Sequence, residues 1–155
     1  MLFLVLGCHQ STETTLVPAP TTVEDPEVVI QSVNLNDRLD QEWILVTLDD
    51  QGQQKKLLPK TQITIQFSAE RLSGLASCNR YFASYQIKSN YGLMIKDVGT
   101  TRMACPEPAG IMLQEQQYLQ LLSQAKTYYI RNKQLTLRTK DKRAILIFQQ
   151  KKIEN

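Results

Sequence analysis

Residues 61–67 read Thr61-Gln62-Ile63-Thr64-Ile65-Gln66-Phe67. Successive side chains of an extended chain point to opposite faces, so Ile63, Ile65 and Phe67 share one side and Gln62, Thr64 and Gln66 the other. That is the pattern of a strand with one face in a core and one in water. Toward the C-terminus, Arg80–Lys88 and Tyr91–Val98 read as a second pair around Ser89-Asn90-Tyr91-Gly92. Thr127–Arg131, Gln134–Thr139 and Arg143–Gln149 then read as a three-strand meander. Their connections, Asn132-Lys133 and Lys140-Asp141-Lys142, are both of hairpin length. Toward the N-terminus, Trp43–Leu48 is apolar on both faces and suits a more central strand. Asp49-Asp50 with Gly52 reads as hairpin chemistry rather than as a metal pair.

One helix interrupts the strands. Pro106 and Pro108 suit a helix start, where a missing N–H costs nothing. On a helical wheel Ile111, Tyr118, Leu122 and Ala125 fall in a narrow arc, with Leu119 at its edge. The expected fold class is therefore α+β and mostly antiparallel: a curved sheet or partly open barrel carrying one main amphipathic helix. Glu115 sits inside the apolar arc. A carboxylate facing a core must find donors or lose its charge. It is read here as anchoring a loop through backbone N–H groups or pairing with Arg80 or Arg102, rather than as a catalytic acid or base.

The 155 residues suffice for one domain of ordinary size, and no apolar run is long enough for a helix to span a bilayer. The net charge of +3 divides unevenly. Residues 9–41 hold six acids against one base, and residues 42–155 hold seventeen bases against nine acids. The acidic part contains Pro18, Pro20 and Pro26 among Thr and Val, with little to bury, and reads as a tether. Val28–Ile30 has room for a short strand within it. Before it stand Met1-Leu2-Phe3-Leu4-Val5-Leu6-Gly7, uncharged and nearly all apolar, ending at Cys8. A small residue before a cysteine, preceded by Val5 and Leu6, resembles the lipobox of bacterial lipoproteins. The resemblance implies cleavage before Cys8 and a diacylglyceryl group on its thiol. His9 follows, and resemblance to the enterobacterial sorting pattern then implies the outer membrane, facing the periplasm. The domain plan is residues 1–7 as a signal remnant, 8–40 as lipidated cysteine and tether, and 41–155 as the folded domain.

The middle of the chain carries a further resemblance. It reads Leu72-Ser73-Gly74-Leu75-Ala76-Ser77-Cys78-Asn79-Arg80-Tyr81-Phe82-Ala83-Ser84-Tyr85, then Thr100-Thr101-Arg102-Met103-Ala104-Cys105-Pro106, then Glu115 and Tyr118-Leu119. With the opening Trp43-Ile44-Leu45 and the closing Leu135-Thr136-Leu137 and Ile145-Leu146-Ile147-Phe148, this resembles the META domain family from about Gln41 to Gln149. One departure is visible: Ala76-Ser77 stand where the family usually carries a glycine pair. The resemblance implies a mostly β fold with a helix, an extracytoplasmic setting and a structural motif at Gly74, Asn79, Tyr81, Tyr85 and Glu115. The best-known bacterial member is a heat-shock protein, which implies a link to envelope stress. It implies no reaction.

If Cys8 is lipidated, Cys78 and Cys105 remain, and an even pair in an oxidising compartment points to a disulfide. Reduced structural thiols are the main rival reading. Two thiols alone do not complete a tetrahedral metal shell, and no Cys-x-x-Cys spacing occurs, so no metal is expected. His9, in the tether, is the only imidazole, and only six glycines are present, with no phosphate-cradling loop. No enzyme activity and no cofactor are expected. Residues 126–152 hold nine bases and one acid, Asp141. These suit the turns and solvent faces of a sheet. An anionic lipid or an envelope protein is the alternative partner, and nucleic acid is not expected. The expected function is binding or structural support by an envelope lipoprotein. The alternative is a carrier or sensor of a small apolar ligand, held in a cavity lined by residues such as Trp43, Phe67 and Ile111.

Overall fold

The computed structural model describes residues 39–152. The expected leader, Cys8, most of the expected tether and Val28–Ile30 lie outside the described residues. Among the described residues, nine named strands and one named helix follow in order: β1 Glu42–Asp50, β2 Gln53–Lys55, β3 Thr64–Ser68, β4 Arg71–Leu75, β5 Arg80–Lys88, β6 Gly92–Thr100, α1 Ile111–Gln124, β7 Ala125–Arg131, β8 Gln134–Thr139 and β9 Ile145–Gln150. Neighbours in the sheet run β1-β3-β4-β5-β6-β7-β8-β9, every pair antiparallel, and β9 returns to β1. Eight strands thus close a ring, and β2 hangs on β1 as a short flap. The barrel expected to be partly open is closed, with one short joint: β6 and β7 share the single register pair Gly92↔Thr127. The helix packs against β6, β8 and β9.

The alternation in sequence is what lets the ring fill itself. Ile65 and Phe67 of β3, Tyr81, Ala83 and Tyr85 of β5, Leu135 and Leu137 of β8, and Leu146 and Phe148 of β9 all point inward and are buried. Trp43, Leu45 and Leu48 of β1 join them, together with Tyr118, Leu121 and Leu122 of the helix. Leu39, placed in the tether by the sequence reading, is 2% exposed and belongs to this core. The folded unit therefore begins before Gln41. In β1 the pairing with β9 slips between Leu45 and Thr47, so Leu48, three residues after Leu45, returns to the core face while Val46 is 44% exposed.

The helix starts later than the two prolines indicate. Gly110 sits at φ 88°, in the left-handed region that glycine enters freely, so helical geometry begins only at Ile111. Ile111 donates to the Pro108 carbonyl at 3.0 Å and Gln114 N–H to the Gly110 carbonyl at 2.9 Å. The turns also separate by end. Between β1 and β2, Gln51 and Gly52 both have positive φ and Gly52 donates to Asp49 Oδ1 at 2.8 Å, the hairpin chemistry expected there. At the other end, Asn90-Tyr91 and Asn132-Lys133 are turns whose central residues all have positive φ, with tyrosine and lysine in the place glycine usually takes.

Candidate functional site

The quoted motif assembles where β4 crosses to β5. Ala76 N–H donates to the Asn79 carbonyl at 2.8 Å, which closes a tight turn over Ala76–Asn79. Ser77 adopts φ 94° there. The tight turn forms although no glycine pair is present, with a serine taking the left-handed conformation. The Cys78–Cys105 disulfide, Cα–Cα 6.1 Å, ties this turn to the segment that leads into α1.

Glu115 reaches the same turn from the helix. Its Oε2 accepts the backbone N–H groups of Asn79 at 2.7 Å and Cys78 at 3.3 Å, and its Oε1 accepts Asn79 Nδ2 at 2.8 Å. The carboxylate is 6% exposed, and three N–H donors take the place of a cationic partner. Arg80 and Arg102 both project into solvent, and neither forms an ion pair among the described residues. Of the two structural roles expected for Glu115, the geometry is that of the loop anchor.

Asn79, 2% exposed, uses its whole side chain. Nδ2 also donates to the Met103 carbonyl at 3.2 Å, and Oδ1 accepts Met103 N–H at 2.7 Å and Thr101 Oγ1 at 2.8 Å. One amide thereby fastens the segment that follows β6 to the turn preceding β5, with every polar atom satisfied. Gln114 does similar work on the helix's neighbouring position. Its Oε1 accepts Leu58 N–H at 2.7 Å, and its Nε2 donates to Thr61 Oγ1 at 3.0 Å and Ser77 Oγ at 2.8 Å.

The remaining motif residues lie beneath this clip. Gly74 on β4 permits a close approach: a Cβ there would run into the Thr64 carbonyl and the Tyr81 ring. Tyr81 donates its hydroxyl to that same Thr64 carbonyl at 2.8 Å and meets the Tyr118 hydroxyl at 2.6 Å. Burial pushes the phenols of Tyr81 and Tyr118 well above the ordinary tyrosine range. Tyr85 packs edge-on against Phe67 with centroids 5.0 Å apart. The motif thus brings Gly74, Asn79, Tyr81 and Glu115 into one connected arrangement with the disulfide, while Tyr85 sits farther along β5. Sequence reasoning missed Gln114, and it quoted Thr101 within the resemblance without giving it a role. The spacing of Gln114 from Ile111, three residues on the same helix face, was the signal available for the first.

The surface over the clip is a shallow depression lined by residues that include Thr101, Met103, Pro106 and Met112. Trp43, Phe67 and Ile111 line none of the described depressions and are 2%, 2% and 6% exposed. Among the described residues no group of acidic, histidine or cysteine side chains could hold a metal ion, and no described helix is long and apolar enough to cross a membrane.

The fold has solved relatives. An NMR structure of a protein from Burkholderia xenovorans is 26% identical, with a TM-score of 0.63, covering 96% of this chain and 100% of that one. A crystal structure of a duf4847 family protein from Bacteroides vulgatus is 12% identical, with a TM-score of 0.57 over 75% of this chain and 96% of that one, and shows likeness of fold alone. No curated protein shows a significant match to the chain. The family description that matches is the META domain, over residues 34–152, a span that contains the barrel, the helix and the clip. On that match, the chain belongs to the META domain family.

Proposed function

We propose that this chain is a non-enzymatic lipoprotein of the bacterial envelope. In this reading residues 1–7 are removed, Cys8 carries the lipid in the outer membrane, and residues 9–40 tether a folded domain that works by binding or support in the periplasm, in keeping with a role under envelope stress. The observation that carries it is the use made of the most reactive-looking side chains. Glu115 and Asn79 are consumed by internal hydrogen bonds that hold the Cys78 turn, so the motif serves rigidity. A disulfide on that turn fits an oxidising compartment.

Intact-mass spectrometry of protein extracted from native membranes tests the reading. The expected product lacks residues 1–7, carries acyl chains on Cys8 and has lost two hydrogens at Cys78 and Cys105. A chain beginning at Met1 with a free Cys8 thiol would overturn the anchor and the outer-membrane location. Crosslinking in whole cells is expected to recover an envelope protein partner.

A further inference from the structure

A second group of side chains meets on the outer surface of β7 and β8, away from the clip. The Tyr91 ring lies against Tyr129, centroids 5.3 Å apart, and the Arg138 guanidinium sits over Tyr129 at 5.6 Å. Both rings are turned to solvent, 51% and 40% exposed. Lys88 pairs with Gly92, the residue after Tyr91; Arg131 lies two residues beyond Tyr129 on β7, and Lys133 is in the turn that follows; all three are exposed. None of these cations, nor Arg138, forms an ion pair among the described residues, where Lys151–Glu42 is the one salt bridge. Residues 126–140 contain five bases and no acid.

We infer that this face, Tyr91 and Tyr129 ringed by Lys88, Arg131, Lys133 and Arg138, is a docking surface for the anionic phospholipid headgroups of a bilayer. Unpaired cations of one sign are attracted to an anionic leaflet. Tyrosine rings with polar tips sit well at the headgroup boundary. The backbone supports the same assignment. Tyr91 and Lys133 occupy left-handed turn positions that glycine fills with less strain, as Gly52 does in the β1–β2 turn. These two turns spend that position on an aromatic ring and a cation that reach outward. Gln150 N–H donates to the Lys133 carbonyl and Lys151 N–H to the Glu42 carbonyl, at 3.0 and 2.9 Å, so the β7–β8 turn is held firmly against the end of β9. The lipid affinity does not depend on the anchor proposed at Cys8.

The test uses the full chain with Cys8→Ser, which cannot be lipidated, so its outcome is independent of the anchor. Co-sedimentation is measured with vesicles of phosphatidylglycerol mixed equally with phosphatidylcholine, and with phosphatidylcholine alone. Binding is expected to the first only, and to weaken with salt. Arg131→Glu/Lys133→Glu/Arg138→Glu is expected to reduce partitioning on the order of a hundredfold. Tyr91→Ser/Tyr129→Ser is expected to weaken binding while keeping its salt dependence. Lys140→Glu/Lys142→Glu/Arg143→Glu, with the same charge change at the opposite end of the barrel, is expected to bind as the parent does. Near-ultraviolet circular dichroism confirms that each variant is folded. Absence of binding to anionic vesicles would overturn the inference. So would equal losses in the two charge-reversal variants, or displacement from the vesicles by trace double-stranded DNA, which would mark a general polyanion site.

Discussion

The hydroxyl oxygens of Tyr81 and Tyr118 lie 2.6 Å apart in the core, with both residues almost wholly shielded from water. Tyr81 has one hydroxyl proton and directs it to the Thr64 carbonyl. The proton between the two tyrosines therefore belongs to Tyr118. Strand β5, strand β3 on the far side of β4 and the helix are joined through two phenols, neither of which can ionise cheaply where it sits.

That arrangement sets an alkaline limit on stability. Burial raises the folded-state pKa of both phenols above the ordinary value of 10.0. Above that value the unfolded chain loses protons that the folded chain keeps, so stability is full below it and falls as pH rises past it. Urea midpoints measured from neutral to strongly alkaline pH are expected to be flat and then to drop. In Tyr118→Phe the drop should be shallower, though not absent, because burial also raises Tyr85 and Tyr128.

Glu115→Gln is expected to destabilise the protein by about 1–3 kcal/mol, since one of its carboxamide faces would present donors to the donors of Asn79. Glu115→Ala should cost at least as much, leaving the Cys78 and Asn79 backbone N–H groups and one Nδ2 proton of Asn79 without the carboxylate that accepts them. Denaturant unfolding monitored at Trp43 measures both. A Glu115→Gln variant as stable as the parent would refute the anchoring role.

Reducing Cys78–Cys105, whose partners are 27 residues apart, is expected to lower stability by roughly 3–4 kcal/mol through restored freedom of the unfolded chain. Calorimetry with and without reductant gives the comparison, and Cys78→Ala/Cys105→Ala should match the reduced protein.

Gly74→Ala should cost about 1–3 kcal/mol or more, because its methyl group has the Thr64 carbonyl in its path and β3 and β4 must separate to admit it. Lys133→Gly has the opposite sign. Lys133 sits at φ 59° with its side chain exposed, so glycine is expected to stabilise the hairpin by up to about 1 kcal/mol. Thermal midpoints of the two variants, moving in opposite directions, check both.

Much of this fold was legible because its strands alternate. Arg80–Lys88 is bounded in the structure where the pattern bounds it, and the closing meander follows from two hairpin-length connections. β4 was missed because Ser73 and Gly74 interrupt its apolar pattern. Their purpose, a close crossing at Thr64, exists only once β3 lies alongside. The helix start was displaced because Gly110 outranks the prolines as a boundary, a matter of φ rather than composition. At the clip, the burial of Glu115 was readable from helical spacing. Its partners on Cys78 and Asn79 were not, because nothing local in the sequence says which of several loops will fold beneath the helix.

The ring is fastened between its first and last strands, Trp43 facing Gln150 and Leu48 facing Leu146. During synthesis the N-terminal strand must wait for nearly the whole domain to appear before its second neighbour exists. Until then it offers a bare row of amides and carbonyls flanked by Trp43, Leu45 and Leu48, an invitation to pair with any other unfinished chain. Barrels closed in this way assemble late and all at once. Truncation of β9 should accordingly yield an insoluble product rather than a smaller domain.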